Sequence, residues 1–280
     1  MTSTLATRLS TYSISLILQR IKIIKRCYSA PVLRDYQQDA IDACVNSIRQ
    51  GTKRIGVSLA TGGGKTVIFS NLINQLRQNY FKERQGNFKS LILVHRRELA
   101  LQATATLKKI FPDLKVHIEM GKYDCDIEDS DVIVASVQTL IRRLHKYDTN
   151  SVNLIIIDEA HHSVANSYRS ILDHFKASTA ETKIPVIGFS ATFERADKRA
   201  LSMVMDKIVY HRGILEMIDD KWLCEAKFTS VKIEADLSDV KSTADDFQLA
   251  PLSSLMNTKE INEVILKTYL HKKQEKSLKS

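Results

Sequence analysis

The sequence predicts an α/β fold with a mostly parallel central sheet and helices on both faces. From Leu33 onward, short β-branched runs alternate with amphipathic stretches, and this alternation is typical of parallel sheets covered by helices. A glycine-rich loop joins the first run to the next helix, and an acidic pair ends a later apolar run. Such features mark α/β domains that bind ligands at the carboxyl ends of their strands.

The elements follow one another regularly from the first helix onward. An amphipathic stretch runs from Tyr36 to Ile48 and ends at Gly51, a common helix terminator. Six strands are predicted at Ile55–Leu59, Ser90–Val94, Val116–Met120, Val132–Ala135, Leu154–Ile157 and Val186–Ser190. Five intervening helices are predicted at Lys65–Asn79, Arg97–Ile110, Gln138–His145, Tyr168–Phe175 and Ala196–Met205. Polar segments at 82–89 and 122–130 predict surface loops.

The pattern changes after about Asp220. Residues Phe228–Ala235 alternate as a strand does, and Asp236–Pro251 is acidic and irregular. A further amphipathic helix is predicted at Lys259–Leu270, before a lysine-rich end. This tail has no evident core of its own.

Net charge does not identify a polyanion-binding surface. The 280 residues carry a formal net charge of +9, from 41 Lys and Arg against 32 Asp and Glu, and basic proteins attract polyanions. Residues 1–28 contribute +5 and residues 267–280 contribute +4, whereas residues 29–266 hold 31 basic and 31 acidic side chains. Any prediction of nucleic-acid binding must therefore rest on local residues.

Residues 1–28 are predicted to be a mitochondrial transit peptide. The segment is rich in Ser, Thr, Leu and Ile, contains five basic residues and has no acidic residue, which is the composition of such peptides. Its end is similar to a matrix-protease site cut after Tyr28, so the mitochondrial matrix is the expected location. A secretory signal and a disordered basic tail are the alternatives; the short apolar run Ile14–Leu18 precedes Arg20, which reverses the secretory order. No apolar stretch reaches the ~20 residues that span a bilayer, and no membrane partner is expected.

The glycine-rich loop predicts a nucleotide site. The sequence Leu59-Ala-Thr-Gly-Gly-Gly-Lys65-Thr66 lies directly between a predicted strand and a predicted helix. Successive glycines let backbone N–H groups point inward around phosphates, and the helix N-terminus adds a favourable field. Lys65 is predicted to reach the β- and γ-phosphates of ATP and to take part in catalysis, and the Thr66 hydroxyl is predicted to bind Mg²⁺. The strict motif has glycine where this chain has Leu59, and a plain glycine turn is the alternative. The loop residues predicted to bind the nucleotide with Lys65 and Thr66 are Thr61, Gly62, Gly63 and Gly64.

The acidic pair Asp158 and Glu159 supplies the predicted catalytic partner of this loop. It follows the apolar run Leu154–Ile157, which predicts a strand buried on both faces. Asp158 is predicted to hold Mg²⁺, usually through water, and Glu159 to orient and polarise the attacking water. His161 is either a polar link or a helix-capping neighbour. A metal site at His161 and the next histidine is disfavoured, because adjacent side chains diverge and no third ligand is evident.

These motifs together resemble the first RecA-like domain of a superfamily II helicase with a DEAH box. The resemblance runs in order from Leu33 to Leu223 and covers a P-loop NTPase core. The segment Leu33-Arg-Asp-Tyr-Gln37, here named the adenine motif, resembles the family motif that contacts adenine. The resemblance implies that Gln37 reads the base edge and that Arg34 or Tyr36 stacks on the base.

Three further motifs complete the resemblance. One is Ser190-Ala-Thr192, which resembles motif III and implies that His161, Ser190 and Thr192 couple the nucleotide state to the nucleic-acid track. Motifs Ia and Ib lie along that track in the family, and the matching residues are His95, Arg96, Arg97, Ser136, Gln138 and Thr139. Hydroxyls and amides can contact phosphates without reading sequence, whereas Arg96 and Arg97 equally fit a solvated helix start. Aromatic residues for base stacking are absent from these motifs, so binding should be sequence-nonspecific and salt-dependent.

The expected organisation has three parts. Residues 1–28 are the transit peptide, residues 29–223 the RecA-like ATP-binding domain, and residues 224–280 a lead-in to a second RecA-like domain. The family hydrolyses ATP between two such lobes, and the second lobe supplies arginine fingers. The pattern Gln-x-x-Gly-Arg-x-Gly-Arg does not occur in this sequence, so we expect the chain to be a truncated form with the first lobe only.

The resemblance implies an ATP-dependent DNA helicase or translocase of mitochondrial DNA maintenance. Within the superfamily the motifs are closer to DNA translocases, such as restriction-subunit and repair helicases, than to DEAD-box RNA helicases. The expected cofactors are ATP and Mg²⁺, and the expected partner is duplex or branched DNA. The lobe alone should bind ATP, turn it over very slowly and not unwind DNA. The alternatives are a non-motor ATP- or nucleic-acid-binding module and a mitochondrial RNA helicase.

Overall fold

The computed structural model describes residues 32–80, 88–179, 181–193, 202, 204–225, 242–243, 246–247, 253 and 257–277. The chain divides into two compact units, Met1–Cys224 and Glu225–Ser280. Several predicted segments lie wholly or mostly outside the described residues: the transit peptide, the loop at 82–89, the helix at 196–205, the strand at 228–235 and the acidic segment at 236–251.

The described part of the first unit contains seven strands and six α-helices. The strands are β1 (Arg54–Leu59), β2 (Ser90–Val94), β3 (Val116–Glu119), β4 (Val132–Ser136), β5 (Leu154–Asp158), β6 (Val186–Ser190) and β7 (Lys207–Arg212). The helices are α1 (Asp35–Arg49), α2 (Lys65–Gln75), α3 (Arg97–Ile110), α4 (Val137–Arg143), α5 (Asn166–His174) and α6 (Ile214–Asp219). A π-helical turn at Leu76–Tyr80 follows α2, and 3₁₀ turns lie at Leu144–Lys146 and Ala160–His162.

The seven strands form one sheet in the order β3-β4-β2-β5-β6-β1-β7. Every neighbouring pair is parallel, which confirms the predicted α/β class. Strands β2 and β6 and helix α3 have the predicted bounds. Strand β7 and helix α6 were not predicted, because β7 is a half-exposed edge strand and its sequence lacks the continuous apolar run of a buried parallel strand.

Helices cover both faces of the sheet, as predicted. Side chains of β5 alternate between two cores, since Leu154 and Ile156 belong to one and Ile155 and Ile157 to the other. Helices α1, α2 and α3 pack in the first core, whereas α4 and α5 pack in the second. A strand with both faces buried reads as one apolar run, which is why the sequence reveals β5 so clearly.

The second unit has a two-stranded antiparallel pair, β8 (Ser242–Thr243) with β9 (Asp246–Phe247), and one long helix, α7 (Lys259–Ser277). Helix α7 contains the predicted helix 259–270 and continues to Ser277. In the part of the chain that the structure describes, no helix combines the length and the apolar character needed to cross a membrane.

Close packing of β6 against the turn after β5 fixes the spacing of the two strand ends. A Cβ at Gly188 on β6 would lie 2.7 Å from the Cβ of Ala160 and 2.5 Å from Met205 Cε. The Met205 methyl group can move, but Ala160 is held by the backbone of the turn that carries the acidic pair.

We expect Gly188→Ala to destabilise the protein by about 1–3 kcal/mol, the usual cost of overpacking. The matched control is Gly56→Ala, at the position paired with Gly188 on β1, where the nearest side-chain atoms would lie 3.4 Å from the new Cβ. Urea unfolding of both variants measures the difference. Equal losses of stability would show that the contact with Ala160 does not limit the position of β6.

Candidate functional site

The parallel sheet brings three predicted motifs to one edge. The glycine-rich loop follows β1, the acidic pair ends β5, and motif III ends β6, which lies between β1 and β5 in the sheet. Because the carboxyl ends of parallel strands meet at the same edge, the three motifs converge there. The convergence depends on the crossovers, since β1 and β5 are not adjacent.

The loop itself requires its glycines. Gly62 and Gly64 have left-handed backbone angles, with φ of +86° and +79°, which glycine adopts without steric cost. A Cβ at Gly63 would lie 2.8 Å from Leu59 Cγ, and one at Gly64 would lie 2.7 Å from Gln37 Nε2. The strict motif has glycine where this chain has Leu59. The Leu59 side chain is fully buried beneath the loop, so there is no room for a side chain at Gly63.

Lys65 and Glu159 form an ion pair across this edge. Lys65 Nζ donates to Glu159 Oε1 at 2.6 Å, and both side chains are mostly buried. Glu159 has φ +53° and ψ +54°, a left-handed conformation that non-glycine residues rarely adopt. Strained backbone of this kind occurs at functional sites, and here it turns the carboxylate toward the phosphate loop.

Asp158 lies beneath this pair at the end of β5. Its side chain is almost fully buried, and its Oδ1 accepts a hydrogen bond from the Glu159 N–H at 3.1 Å. Burial raises the pKa of the Asp158 carboxyl above its ordinary value, the Lys65 cation opposes this rise, and the Glu159 carboxylate adds to it. A buried carboxylate with this electrostatic cost fits a divalent cation, because Mg²⁺ prefers carboxylate oxygen and would neutralise the charge.

His161 links the acidic motif to motif III. Its Nδ1 lies 3.0 Å from Ser190 Oγ, and the Thr192 N–H donates to the same hydroxyl at 3.1 Å. The same ring nitrogen lies 3.4 Å from Glu159 Oε2. Desolvation, with the neighbouring His162 as the next cause, lowers the pKa of His161, so the ring is neutral at pH 7 and can exchange donor and acceptor roles with the hydroxyl. These contacts favour the polar link over the helix-capping alternative.

The adenine motif supports the phosphate loop from below. Tyr36 is fully buried and its hydroxyl donates to the Gly63 carbonyl oxygen at 2.9 Å. Gln37 Nε2 donates to the same oxygen at 3.4 Å, while Gln37 Oε1 accepts the Arg34 N–H at 3.1 Å. A base cannot lie against the buried Tyr36 ring, so that alternative is excluded in this conformation. Arg34 is exposed beside the loop, and its stacking on a base stays a prediction.

Motifs Ia and Ib meet at the ends of the paired strands β2 and β4. Gln138 Nε2 donates to the His95 carbonyl oxygen at 3.4 Å, and Ser136 Oγ donates to Gln138 Oε1 at 2.9 Å. Ser136 and Thr139 are buried, and Thr139 Oγ1 accepts the Gly121 N–H at 3.1 Å. Both hydroxyls thus already contact protein groups and belong to buried residues, and their contact with a phosphate stays a prediction.

In these two segments Arg96, Arg97 and Gln138 are exposed, and so is the neighbouring carboxylate of Glu98. His95 is partly buried, and its ring packs against His162 with centroids 4.6 Å apart. Desolvation lowers the pKa of His95, and the nearby His162 and Arg96 lower it further. A nucleic-acid backbone would therefore meet two arginine charges, one amide and the carboxylate of Glu98 here, beside the imidazole of His95.

A cavity of about 540 Å³ opens beside the loop, and its lining includes the predicted residues Thr61 and Thr192. His211 of β7 and Ile214 of α6 also line it, and sequence reasoning missed these two residues. Trp222 lies next to Arg34, whose Cζ is 5.1 Å from the centre of the indole ring. The available signal was that Trp222 is the sole tryptophan in the chain.

Comparison with known proteins gives consistent relatives. The family model of the type III restriction enzyme, res subunit, matches residues 30–195. The chain is 43% identical over 206 residues to irc3 of Schizosaccharomyces pombe, named as a mitochondrial ATP-dependent helicase, and this match covers 73% of this chain and 33% of irc3. It is 30% identical over 178 residues to the type I restriction enzyme EcoKI endonuclease subunit of Escherichia coli K12, covering 52% of this chain and 14% of that subunit. The chain thus spans a third or less of the length of these relatives.

The fold also has solved counterparts. The DEAD-box helicase Mss116, bound to ssRNA and UDP-BeF, matches with a TM-score of 0.55 and 23% identity, covering 67% of this chain and 41% of that chain. At this level of identity the match supports the RecA-like fold alone.

We expect Asp158→Asn to raise the thermal stability of the ligand-free protein at neutral pH. The raised pKa means that the folded state holds the Asp158 proton more tightly than the unfolded chain, so the ionised carboxylate destabilises the fold at pH 7. The gain should vanish as the pH falls below about 3.9, where the carboxyl is protonated in both states. Thermal melts of the wild type and the variant across this pH range test this prediction. A lower Tm for the variant at pH 7 would contradict the view that the ionised Asp158 destabilises the folded protein.

Proposed function

Because the chain belongs to the family of the type III restriction enzyme res subunit and carries a helicase lobe of superfamily II, we propose that it is the ATP-binding lobe of a DNA helicase or translocase. The observation that carries the proposal is the contact of Lys65 with Glu159 at 2.6 Å. This contact joins Lys65, for which we propose phosphate binding, to Glu159, the proposed catalytic base, at the end of the glycine-rich loop.

The proposed cycle begins with an exchange of partners. Without nucleotide, Lys65 neutralises Glu159; when ATP enters the loop, its phosphates compete for the lysine. Glu159 is then released and can accept a hydrogen bond from the attacking water. Asp158 and Thr66 are the residues that would hold Mg²⁺, which would neutralise charge on the phosphate oxygens when bound. His161 senses the change at Glu159 and transmits it to Ser190 and the backbone of Thr192.

The proposed substrate is DNA, bound without sequence preference. Arg96, Arg97 and Gln138 offer positive charge and one amide at the ends of β2 and β4, a composition suited to phosphate contacts. The restriction-enzyme relatives support DNA over RNA, and the sequences His95-Arg96-Arg97 and Gly188–Arg195 support the same choice. We propose action in the mitochondrial matrix, on duplex or branched DNA; a mitochondrial location is supported by the name of the irc3 relative and by the composition of residues 1–28.

We also propose that hydrolysis needs a second RecA-like lobe. The resemblance places arginine fingers on that lobe, and an arginine finger is worth about 10³–10⁵ in rate in the NTPases that depend on one. Residues 29–223 are the proposed ATP-binding domain, and residues 224–280 the proposed lead-in to the partner lobe. The first lobe alone should therefore bind ATP but hydrolyse it very slowly.

Substitutions in the ion pair should separate binding from turnover. Lys65→Ala should abolish detectable binding of ATP, because the loop loses its phosphate-binding cation. Glu159→Gln should retain binding and strengthen it, since ATP no longer has to replace a carboxylate as the partner of Lys65. Titration with a fluorescent ATP analogue measures both, with Lys108→Ala on the exposed face of α3 as the control. Equal affinity of Lys65→Ala and the wild type would contradict the site.

Turnover should depend on the second lobe and on DNA. Residues 1–280 should bind ATP in the micromolar-to-millimolar range and show no stimulation of ATPase activity by duplex DNA. A protein extended through the second lobe should show stimulation, larger with duplex or branched DNA than with RNA, and Glu159→Gln in that protein should abolish it. Robust DNA-stimulated hydrolysis by residues 1–280 would contradict the requirement for a second lobe. Selective stimulation by RNA would favour a mitochondrial RNA helicase, and normal turnover by Glu159→Gln would remove Glu159 as the base.

A further inference from the structure

Two side chains of the adenine motif and two from later in the chain contact one another in a row. The Arg34 guanidinium lies over the Trp222 ring, with its Cζ 5.1 Å from the ring centre. The Tyr36 ring meets the indole edge-on, with centroids 5.4 Å apart. Arg212 follows over the Tyr36 ring at 5.5 Å. We name Arg34, Trp222, Tyr36 and Arg212 the aromatic ladder.

The backbone holds Trp222 firmly in this ladder. Helix α6 ends in a Schellman turn, in which the Trp222 N–H donates to the Met217 carbonyl oxygen at 2.9 Å and the Lys221 N–H donates to Ile218 at 2.9 Å. Lys221 occupies the left-handed position of this turn with φ +63°, where glycine is the usual residue. An ion pair of Arg212 with Asp220 ties the same turn to the end of β7. Lysine accepts a strained conformation here, and the indole is fixed as a result.

The ladder is connected to the phosphate loop at two glycines. Arg34 Nη1 donates to the Tyr36 hydroxyl at 3.1 Å, and that hydroxyl donates to the Gly63 carbonyl oxygen at 2.9 Å. On the other side, Leu223 Cδ2 would lie 3.2 Å from a Cβ at Gly62. A nucleotide whose phosphates lie in the loop therefore has its base within reach of the exposed end of the ladder.

That exposed end has two usable surfaces. A guanidinium group is planar and stacks on aromatic faces; one side of Arg34 faces the indole, and Arg34 as a whole is exposed. Trp222 is 37% exposed, so the indole is neither a plain core residue nor fully solvated. The hydrogen bond to Tyr36 and the contact with the indole together hold the planar guanidinium in one orientation.

On this basis we propose that Trp222 is a positioning residue for the nucleotide base: it holds the Arg34 guanidinium flat, and the purine base of ATP stacks on the outer side of that guanidinium. The proposal rests on the proposed function, because it assumes that ATP binds in the loop. It adds a residue outside the recognised motifs to the nucleotide site. It also explains why the base stacks on Arg34 and not on Tyr36: the Tyr36 ring is buried, whereas the indole holds Arg34 in place at the surface. Removing the indole would free the guanidinium and weaken stacking, while phosphate binding would stay.

The sole tryptophan makes the proposal directly observable. Addition of ATP to the wild-type chain should change the intensity or the wavelength of Trp222 emission, with a midpoint equal to the Kd measured by calorimetry. Tripolyphosphate, which lacks the base, should bind with little change in emission. Bound ATP that leaves the emission unchanged, or an identical response to both ligands, would overturn the proposal.

Substitution separates the base from the phosphates. Trp222→Ala should weaken ATP binding by about 3–30-fold, the range that a cation–π contact supplies, while the Kd for tripolyphosphate stays unchanged. Trp222→Phe should restore most of the affinity for ATP, because a ring is present again. Ile208→Ala, at a similarly exposed apolar residue of β7, should change neither Kd.

The outcomes distinguish this proposal from the proposed function. If Lys65→Ala abolishes ATP binding and Trp222→Ala binds ATP as the wild type does, the role of Trp222 is wrong and the ATP site stands. If Trp222→Ala loses ATP and tripolyphosphate affinity equally, the residue supports the loop as a whole and the role in base binding is wrong. If the wild type binds tripolyphosphate and ATP equally well, no base platform exists, and if it binds neither, the proposed function fails as well.

Discussion

Lys65 begins the helix that follows β1 and Glu159 directly follows β5, so their contact joins two strands that are not neighbours in the sheet. Strand β6 lies between β1 and β5, and the ion pair bridges its carboxyl end at 2.6 Å. The contact is possible only because all three strands run parallel and end at one edge. It also sets the charge balance of the site, since the same lysine opposes the rise in the pKa of buried Asp158. One cation thus stabilises two carboxylates in this structure.

The surroundings of this pair keep it in place by rigid, local means. Glu159 has a left-handed backbone, and so does Gly64, which directly precedes Lys65. These two conformations fix the directions of the Glu159 and Lys65 side chains. Gly188 lets β6 approach the turn after β5, which brings Ser190 within reach of His161. If Lys65 changes its partner, the contacts of Glu159 and His161 must therefore change too, because their backbones have little freedom to move. Coupling between sites requires such a connection.

The motifs and most strands of the sheet could be predicted from the sequence, because they depend on local patterns of residues. Buried strands such as β5 read as apolar runs, and a glycine-rich loop between a strand and a helix has few other meanings. Strand β7 was missed because half-exposed edge strands have no such pattern. The contacts of Tyr36 with Trp222 and Arg212 were missed for another reason: these two residues lie far along the chain and carry no motif. Similarly, nothing in the letters Ser136 and Thr139 shows that their hydroxyls hold protein groups.

A crystal structure of residues 1–280 with Mg²⁺ and an ATP analogue that resists hydrolysis would test the exchange of partners most directly. The account predicts that Lys65 Nζ leaves Glu159 and contacts the β- and γ-phosphate oxygens, with the Glu159 carboxylate facing the space beyond the γ-phosphate. A nucleotide bound in the loop while the ion pair of Lys65 and Glu159 remains intact would contradict it.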